Sequence, residues 1–180
     1  MEETTKTLKE IQVVVFRLLK EEYGVDVVQV KEIMRMQEIT AIPNAPSWVR
    51  GVINLRNQII SIIDLKERLN LELSEPDDNS RIMVIEVGDK TIGMIVDGVN
   101  EVLRTNTSDI DITPPSTHDV QAEYIIGICK LESRLIVMLD LTKVLSLQEV
   151  GLLEGGAEKS ENEEISDGAT AEESSRELQV

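Results

Sequence analysis

The sequence predicts a mainly β protein made of two small β-barrels, each with about five short strands and one short helix. Three observations carry this expectation. The chain repeats itself: shifted by 76 residues, Gly51-Val52-Ile53-Asn54-Leu55 falls on Gly127-Ile128-Cys129-Lys130-Leu131, Ile60 on Ile136, Asp64-Leu65 on Asp140-Leu141, Leu69 on Leu145 and Leu71 on Leu147, with no gap. The upstream halves align at a shift of 69, Gly24 on Gly93, Val27 on Val96, Val30 on Val99, Glu32 on Glu101 and Ile33 on Val102. A repeat of this length, 13–71 against 82–147, reads as two related subdomains rather than a solenoid. The apolar runs are short, rich in Val and Ile, and broken by polar turns, which is the pattern of strands. The only aromatic residues are Phe16, Tyr23, Trp48 and Tyr124, so the core must be built from aliphatic side chains and Met. Sheets this small leave raw edges unless they close or pair, and twin barrels solve that problem.

The elements follow in order. Ile11–Leu19 is an apolar strand, Lys20 to Gly24 a turn and Val25–Val30 the returning strand. Lys31–Ile42 continues as strand, with apolar residues at 33, 34, 36, 39 and 42. Pro43 and Pro46 break regular structure. Val52–Leu55 and Ile59–Ile63 form a hairpin around Arg56-Asn57-Gln58, where Asn57 suits a positive φ. Asp64 starts a short helix, with Glu67 three residues on as a capping partner. Residues 73–80 connect the copies.

In the second copy Arg81–Val87 and Thr91–Val96 flank the turn Gly88-Asp89-Lys90, and Asn100–Arg104 answers to Lys31–Arg35. Thr105–Glu123 reads as a surface loop around Pro114-Pro115. Ile125–Leu131 and Leu135–Leu139 form a hairpin turning at Glu132-Ser133-Arg134, and Asp140–Val150 a terminal helix. The expected organisation is a flexible segment 1–10, a first barrel 11–72, a connector 73–80, a second barrel 81–153 and a disordered tail 154–180. That tail is poor in large apolar residues and cannot offset its ordering entropy.

The formal net charge is −16. Glu154 to Val180 holds nine acidic and two basic residues, a net of −7, which leaves −9 for the rest. Such a body repels phosphate backbones, so a nucleic-acid-binding barrel is disfavoured. The single cysteine, Cys129, rules out an intrachain disulfide and fits a reducing compartment. No signal peptide and no apolar run of membrane-spanning length is visible, so a cytoplasmic protein without membrane insertion is expected.

The residues offer little chemistry. His118, the one histidine, sits in the Pro-rich loop as an exposed bystander, and Cys129 reads as a small buried hydrophobe. No phosphate-cradling glycine loop and no metal-ligand spacing appears, so no cofactor or metal is expected. Asp109 and Asp111 could serve a small hydrolase, but a solvated turn explains them better. Asp97-Gly98 lacks the companions of a phospho-acceptor site and reads as a turn or cap. What stands out is apolar: Val28, Val30, Ile33, Val99 and Val102 are spaced so that some must point away from a small core. They form either the contact between the barrels or an exposed groove for a partner. Glu32 and Arg56 stand near this surface, as a structural ion pair or as partner contacts.

Taken together, certain motifs resemble a known family. They are Glu22-Tyr23-Gly24-Val25-Asp26, Val30-Lys31-Glu32-Ile33, Pro43-Asn44-Ala45-Pro46, Gly51-Val52-Ile53-Asn54-Leu55-Arg56 and Ile62-Ile63-Asp64-Leu65. With Gly93-Met94-Ile95-Val96-Asp97-Gly98-Val99 and Glu123-Tyr124-Ile125-Ile126-Gly127, they resemble the CheW chemotaxis coupling proteins over residues 11–150. The resemblance implies two five-stranded SH3-like barrels and no catalysis. It implies an adaptor that couples transmembrane chemoreceptors to the histidine kinase CheA in arrays, recruited from the cytoplasm. By motif position the receptor's cytoplasmic tip would meet a groove of Val30, Glu32, Ile33, Gly93, Val99 and Val102. The kinase's regulatory domain would be met barrel to barrel, with the turn Arg56 and Asn57 in the interface. The chain departs from the family in two places. Its turn reads Arg56-Asn57 where Arg-Gly is usual, and Ser116-Thr117-His118 has no aromatic residue where a second kinase contact can carry one.

Overall fold

A computed structural model describes residues 8–112, 123–146, 149 and 153. The chain divides into a unit Met1–Leu145, which holds every strand among the described residues, and a unit Ser146–Val180. Residues 1–7 of the segment expected to be flexible, His118 with the loop expected around it, and the tail 154–180 lie outside the described residues.

The first hairpin is β1 (Glu10–Leu18) and β2 (Glu21–Asp26), the third strand β3 (Val30–Arg35), and the second hairpin β4 (Val49–Leu55) and β5 (Gln58–Asp64). A short helix α1 (Leu65–Arg68) follows. The second copy runs β6 (Arg81–Val87), β7 (Lys90–Val96), β8 (Gly98–Asn106), β9 (Ile110–Asp111), β10 (Ile125–Leu131) and β11 (Arg134–Leu139). The protein is thus mainly β, in two sheets. One has the order β8-β1-β2-β11-β10-β9 and the other β3-β6-β7-β5-β4.

The sheets do not follow the division at 73–80 that the repeat suggested. The hairpin β1–β2 of the first copy lies in the sheet of β8, β10 and β11, and the hairpin β6–β7 of the second copy lies with β3, β4 and β5. Each copy has given its first hairpin to the other. The links explain why. Val27–Gln29, a 3-10 turn, joins β2 to β3, and the single residue Asp97 joins β7 to β8. One residue cannot reverse a strand, since the tightest hairpin needs two. The chain therefore runs straight on into the neighbouring sheet.

The exchange keeps the repeat's register. Val30 faces Ile85 and Ile33 faces Met83 in one sheet; their counterparts Val99 and Val102 face Phe16 and Val14 in the other. The parallel pairs Ile62–Gly93 and Met138–Gly24 match in the same way. Even the bulge recurs, at Val30/Glu32 against β6 and opposite Val15/Phe16 against β8. The inner cores are one core built twice. Ile53, Ile60, Ile62, Ile82 and Val84 fill one sheet's concavity, and Cys129, Ile136, Met138, Val13 and Val15 occupy the same places in the other. Both sheets curl. β8 bends through Thr107–Asp109 into β9, which pairs with β10 on the far edge, and Thr40, downstream of β3, bridges Val52 of β4. One bent segment thus reaches both edges of each sheet, a geometry compatible with small barrels.

Several local expectations change. The first turn is the residue pair Leu19-Lys20, and Gly24 lies inside β2. A Cβ there would sit 2.7 Å from Val13 and 2.8 Å from Met138, so Gly24 serves packing, not reversal. Part of the loop expected over Thr105–Glu123 is strand and 3-10 turn, as far as Asp111. At the expected terminal helix, Leu141–Lys143 forms a 3-10 turn capped by Asp140, and the stretch beyond 146 falls mostly outside the described residues. The reversal expected over Arg56-Asn57-Gln58 is the pair Arg56-Asn57, with Gln58 already in β5; Arg56 as well as Asn57 has positive φ, 51° and 66°, as a two-residue hairpin turn with the sheet's twist requires. Asp64 caps α1 by accepting from the amides of Lys66 and Glu67.

Candidate functional site: an apolar seam between two sheets

The seam follows from strand periodicity. In β1, Val13 and Val15 point into one inner core, yet Val14, Phe16 and Leu18 on the opposite face are also buried. In β6, Ile82 and Val84 point inward, and Met83 and Ile85 opposite are completely buried. Runs such as Val13-Val14-Val15-Phe16 and Ile82-Met83-Val84-Ile85 are apolar on both faces because both faces are covered. The outer faces meet where the two sheets join. There β1 contacts β7, the Asp97 amide donates to the carbonyl of Arg17, and the Leu19 amide donates to Asp97 Oδ2 at 2.6 Å.

The seam continues past its buried part. Cross-strand partners share a face, so Val30 and Ile33 belong to the face of Ile85 and Met83, and Val99 and Val102 to that of Phe16 and Val14. The bulges make this possible, because they put residues three apart on one face. Val30 and Val99 are half-buried, whereas Ile33 is 38% and Val102 56% exposed. Each edge strand therefore carries the apolar face of its sheet out into solvent.

The other two residues expected in the groove lie elsewhere. Glu32 faces Val84, on the inner side of its sheet, and reaches Arg56 Nη2 at 3.0 Å. Gly93 is buried in the same row, and a Cβ there would sit 2.5 Å from Ile62 and 2.8 Å from Ile82. Gly93 thus offers no accessible contact; it leaves room for two isoleucines of the core. Arg56 and Asn57 are exposed at the β4–β5 turn. The Glu32–Arg56 pair closes the rim of one sheet. With Arg56 74% exposed, it contributes only about 0–1 kcal/mol.

Its counterpart in the other sheet is denser. Arg134 donates to Glu22 Oε1 and Oε2 at 2.8 and 3.0 Å and pairs with Glu101 at 2.6 Å. The Arg134 guanidinium holds the Glu22 carboxyl below its ordinary value of 4.5, against the opposing pull of burial. A lowered folded value means that the pair stabilises above the unfolded value and stops doing so as pH falls through the folded one. Arg134→Gln is expected to lower the urea midpoint modestly at neutral pH. The difference from the parent should shrink steadily below pH 4.5; a difference constant with pH would rule the linkage out.

The polar residues considered for chemistry are occupied structurally. Asp109 Oδ2 accepts from the Thr105 hydroxyl and the Asn106 amide, and Asp111 pairs with Lys130 at 2.7 Å. Cys129 is buried. Asp97 does act as a cap, for Leu19, and it also does what sequence reasoning missed: its Oδ1 accepts from Lys66 Nζ at 2.6 Å, and Lys66 is 1% exposed. The one signal was a lysine two residues past the Asp64 cap, where helix geometry turns it inward. Among the described residues, no helix is long and apolar enough to cross a membrane.

Two like sheets, each made with a hairpin from the other half, and an apolar seam that runs out into solvent define a duplicated β module of the adaptor type. Comparison with known proteins gives the family. The CheW-like domain model matches residues 12–149, and the chain belongs to that family. The chemotaxis protein CheW of Bacillus subtilis is 37% identical over 137 residues, 74% of this chain and 86% of that protein. The chemotaxis protein CheW of Klebsiella aerogenes is 34% identical over 143 residues, 79% of this chain and 86% of that one. The crystal structure of the scaffolding protein TtCheW from Thermoanaerobacter tengcongensis superimposes with a TM-score of 0.71 at 32% identity, covering 83% of this chain and 96% of that one. The family is one of non-catalytic chemotaxis scaffolds, and the chain is an adaptor of that kind, not an enzyme.

Proposed function

We propose that this chain couples transmembrane chemoreceptors to the histidine kinase CheA, working in the cytoplasm and recruited to receptor arrays. The observation that carries the reading is the shared seam face of Val30, Ile33, Val99 and Val102, apolar and open at both edge strands. A receptor tip is a helical hairpin, and an apolar trough between two sheets suits the apolar stripe of a helix. The exposed Arg56-Asn57 turn is the contact for the regulatory domain of the kinase. Asn57 keeps the turn's positive φ without glycine, so the turn's shape stands while a side chain is added at its tip.

Pull-down of a receptor's cytoplasmic hairpin tests this. Val99→Asp and Val102→Asp should each weaken capture at least tenfold, about 1.4 kcal/mol, because a carboxylate cannot be desolvated against an apolar helix. Val102 is already 56% exposed, so its replacement should leave the urea midpoint almost unchanged. Undiminished capture by a folded Val102→Asp protein would remove the seam from the account.

A further inference from the structure

The internal symmetry has one conspicuous break. A cleft of about 460 Å³ is lined by Val28, Gln29, Lys31, Glu86, Gly88 and Thr142. Applying the repeat's own shifts, 69 for the hairpin and third strand and 76 for the later part, sends these six onto Asp97, Gly98, Asn100, Arg17, Leu19 and Lys66. Two of them, Asp97 and Lys66, are the buried ion pair described above, and Arg17 and Leu19 both donate to Asp97. The same place in the fold is thus filled in one half and open in the other. In the filled half, a carboxylate accepts from the Leu19 amide at 2.6 Å and from Lys66 Nζ at 2.6 Å. Leu19 has φ 55°, and its counterpart Gly88 has φ 61°. The Gly88 amide is therefore set in the turn as the Leu19 amide is. No hydrogen bond engages it among the described residues, and the space beside its Cα is open. In the open half Val28 and Thr142 stand where the charged pair stands in the other; Asp26 caps the Val28 amide at 3.1 Å, and the Val28 side chain is 83% exposed.

We propose that this cleft is a carboxylate-binding subsite that takes an aspartate or glutamate side chain of a partner protein in the place that Asp97 fills in the other half. The Gly88 amide would donate to one oxygen. Lys31, at present paired to Glu86 at 2.8 Å with both groups half-exposed, would supply the cation. An aliphatic wall at Val28 suits the methylene stem of such a side chain. Carboxylate capture here stands apart from which protein grips the seam.

The test is an NMR titration of the amide spectrum of the full chain with sodium acetate and then N-acetylaspartate, against sodium chloride at equal ionic strength. The Gly88 amide should move downfield and saturate with both carboxylates and not with chloride. Lys31→Gln should weaken the response severalfold. Thr142→Lys, which grafts Lys66's ammonium onto the equivalent position, should tighten it about tenfold; Thr142 is exposed, so the fold should survive. Three results would overturn the proposal. The Gly88 amide could follow chloride as well as acetate, Thr142→Lys could leave affinity unchanged, or the amide could already be downfield and indifferent to added carboxylate, as occupancy by the chain's own acids would produce.

Discussion

Asp97→Leu should destabilise the protein by about 3–5 kcal/mol, read as the loss of urea midpoint at constant slope. Lys66 is 1% exposed, and its ammonium meets Asp97 Oδ1 at 2.6 Å, with Ser74 as its other partner. Removing the carboxylate leaves a buried charge without its counter-ion and strips the Leu19 amide of its acceptor. Both losses fall at the junction of the two sheets, so they should loosen the whole unit rather than one edge. The companion experiment separates the pair's net worth from the cost of breaking it. Lys66→Met with Asp97→Leu removes both charges and should recover most of the lost stability, since a well-packed apolar pair often matches a buried ion pair. If the double variant is as unstable as the single one, the burden lies on the Leu19 amide and not on the stranded ammonium.

Gly51→Val is the second large effect. Gly51 has φ 144°, a conformation strained for any residue with a side chain. A Cβ there would lie 2.1 Å from the carbonyl oxygen of Thr40. That carbonyl accepts from the Val52 amide at 2.9 Å, and the Thr40 amide donates back to Val52 at 2.9 Å. The obstacle is backbone, so it cannot give way by changing rotamer. A side chain must pry the bent segment off β4 and open the rim of that sheet. Strain and overpacking each cost roughly 1–3 kcal/mol, and together they are a large share of a total stability of about 5–15 kcal/mol. Gly127 repeats the arrangement against the Asp111 carbonyl, at 2.4 Å. Gly51→Val should therefore yield little folded protein at 37 °C. Gly88→Ala, with nothing within 4 Å of its Cβ, meets only the strain of its φ of 61°, about 1–2 kcal/mol, and should still fold.

These two positions show what was legible in the sequence and what was not. The strands were, because period and turn chemistry are local: Arg81–Val87 and Ile125–Leu131 stand at the bounds their apolar runs suggested. The repeat was legible too, since side-chain identity carries it. The exchange of hairpins was not. When two copies are alike, a hairpin fits either sheet in the same register, and no residue type marks the preference. The link lengths decide it, and the single-residue link at Asp97 can be recognised only once the ends of β7 and β8 are known. Gly24 misled for a similar reason. Glycine before a β run suggests a turn, but here it makes room for Val13 and Met138, which come from distant parts of the chain. At the seam, sequence spacing singled out Val28, Val30, Ile33, Val99 and Val102, and motif position added Glu32 and Gly93; neither could tell which of them share the seam face. The bulge in each edge strand shifts the alternation by one, so facing can be read only from the observed pairing.

On the proposed reading the open ends of the seam, not the outer rims of the sheets, hold the receptor. The most direct measurement is a methyl NMR titration of the isoleucine- and valine-labelled chain with a receptor's cytoplasmic hairpin. The methyls of Val30, Ile33, Val99 and Val102 should shift together with one affinity, while those of Ile59, 73% exposed on β5 and three strands away from β3 in its sheet, stay still. Shifts at Ile59 with none at Ile33 and Val102 would contradict it.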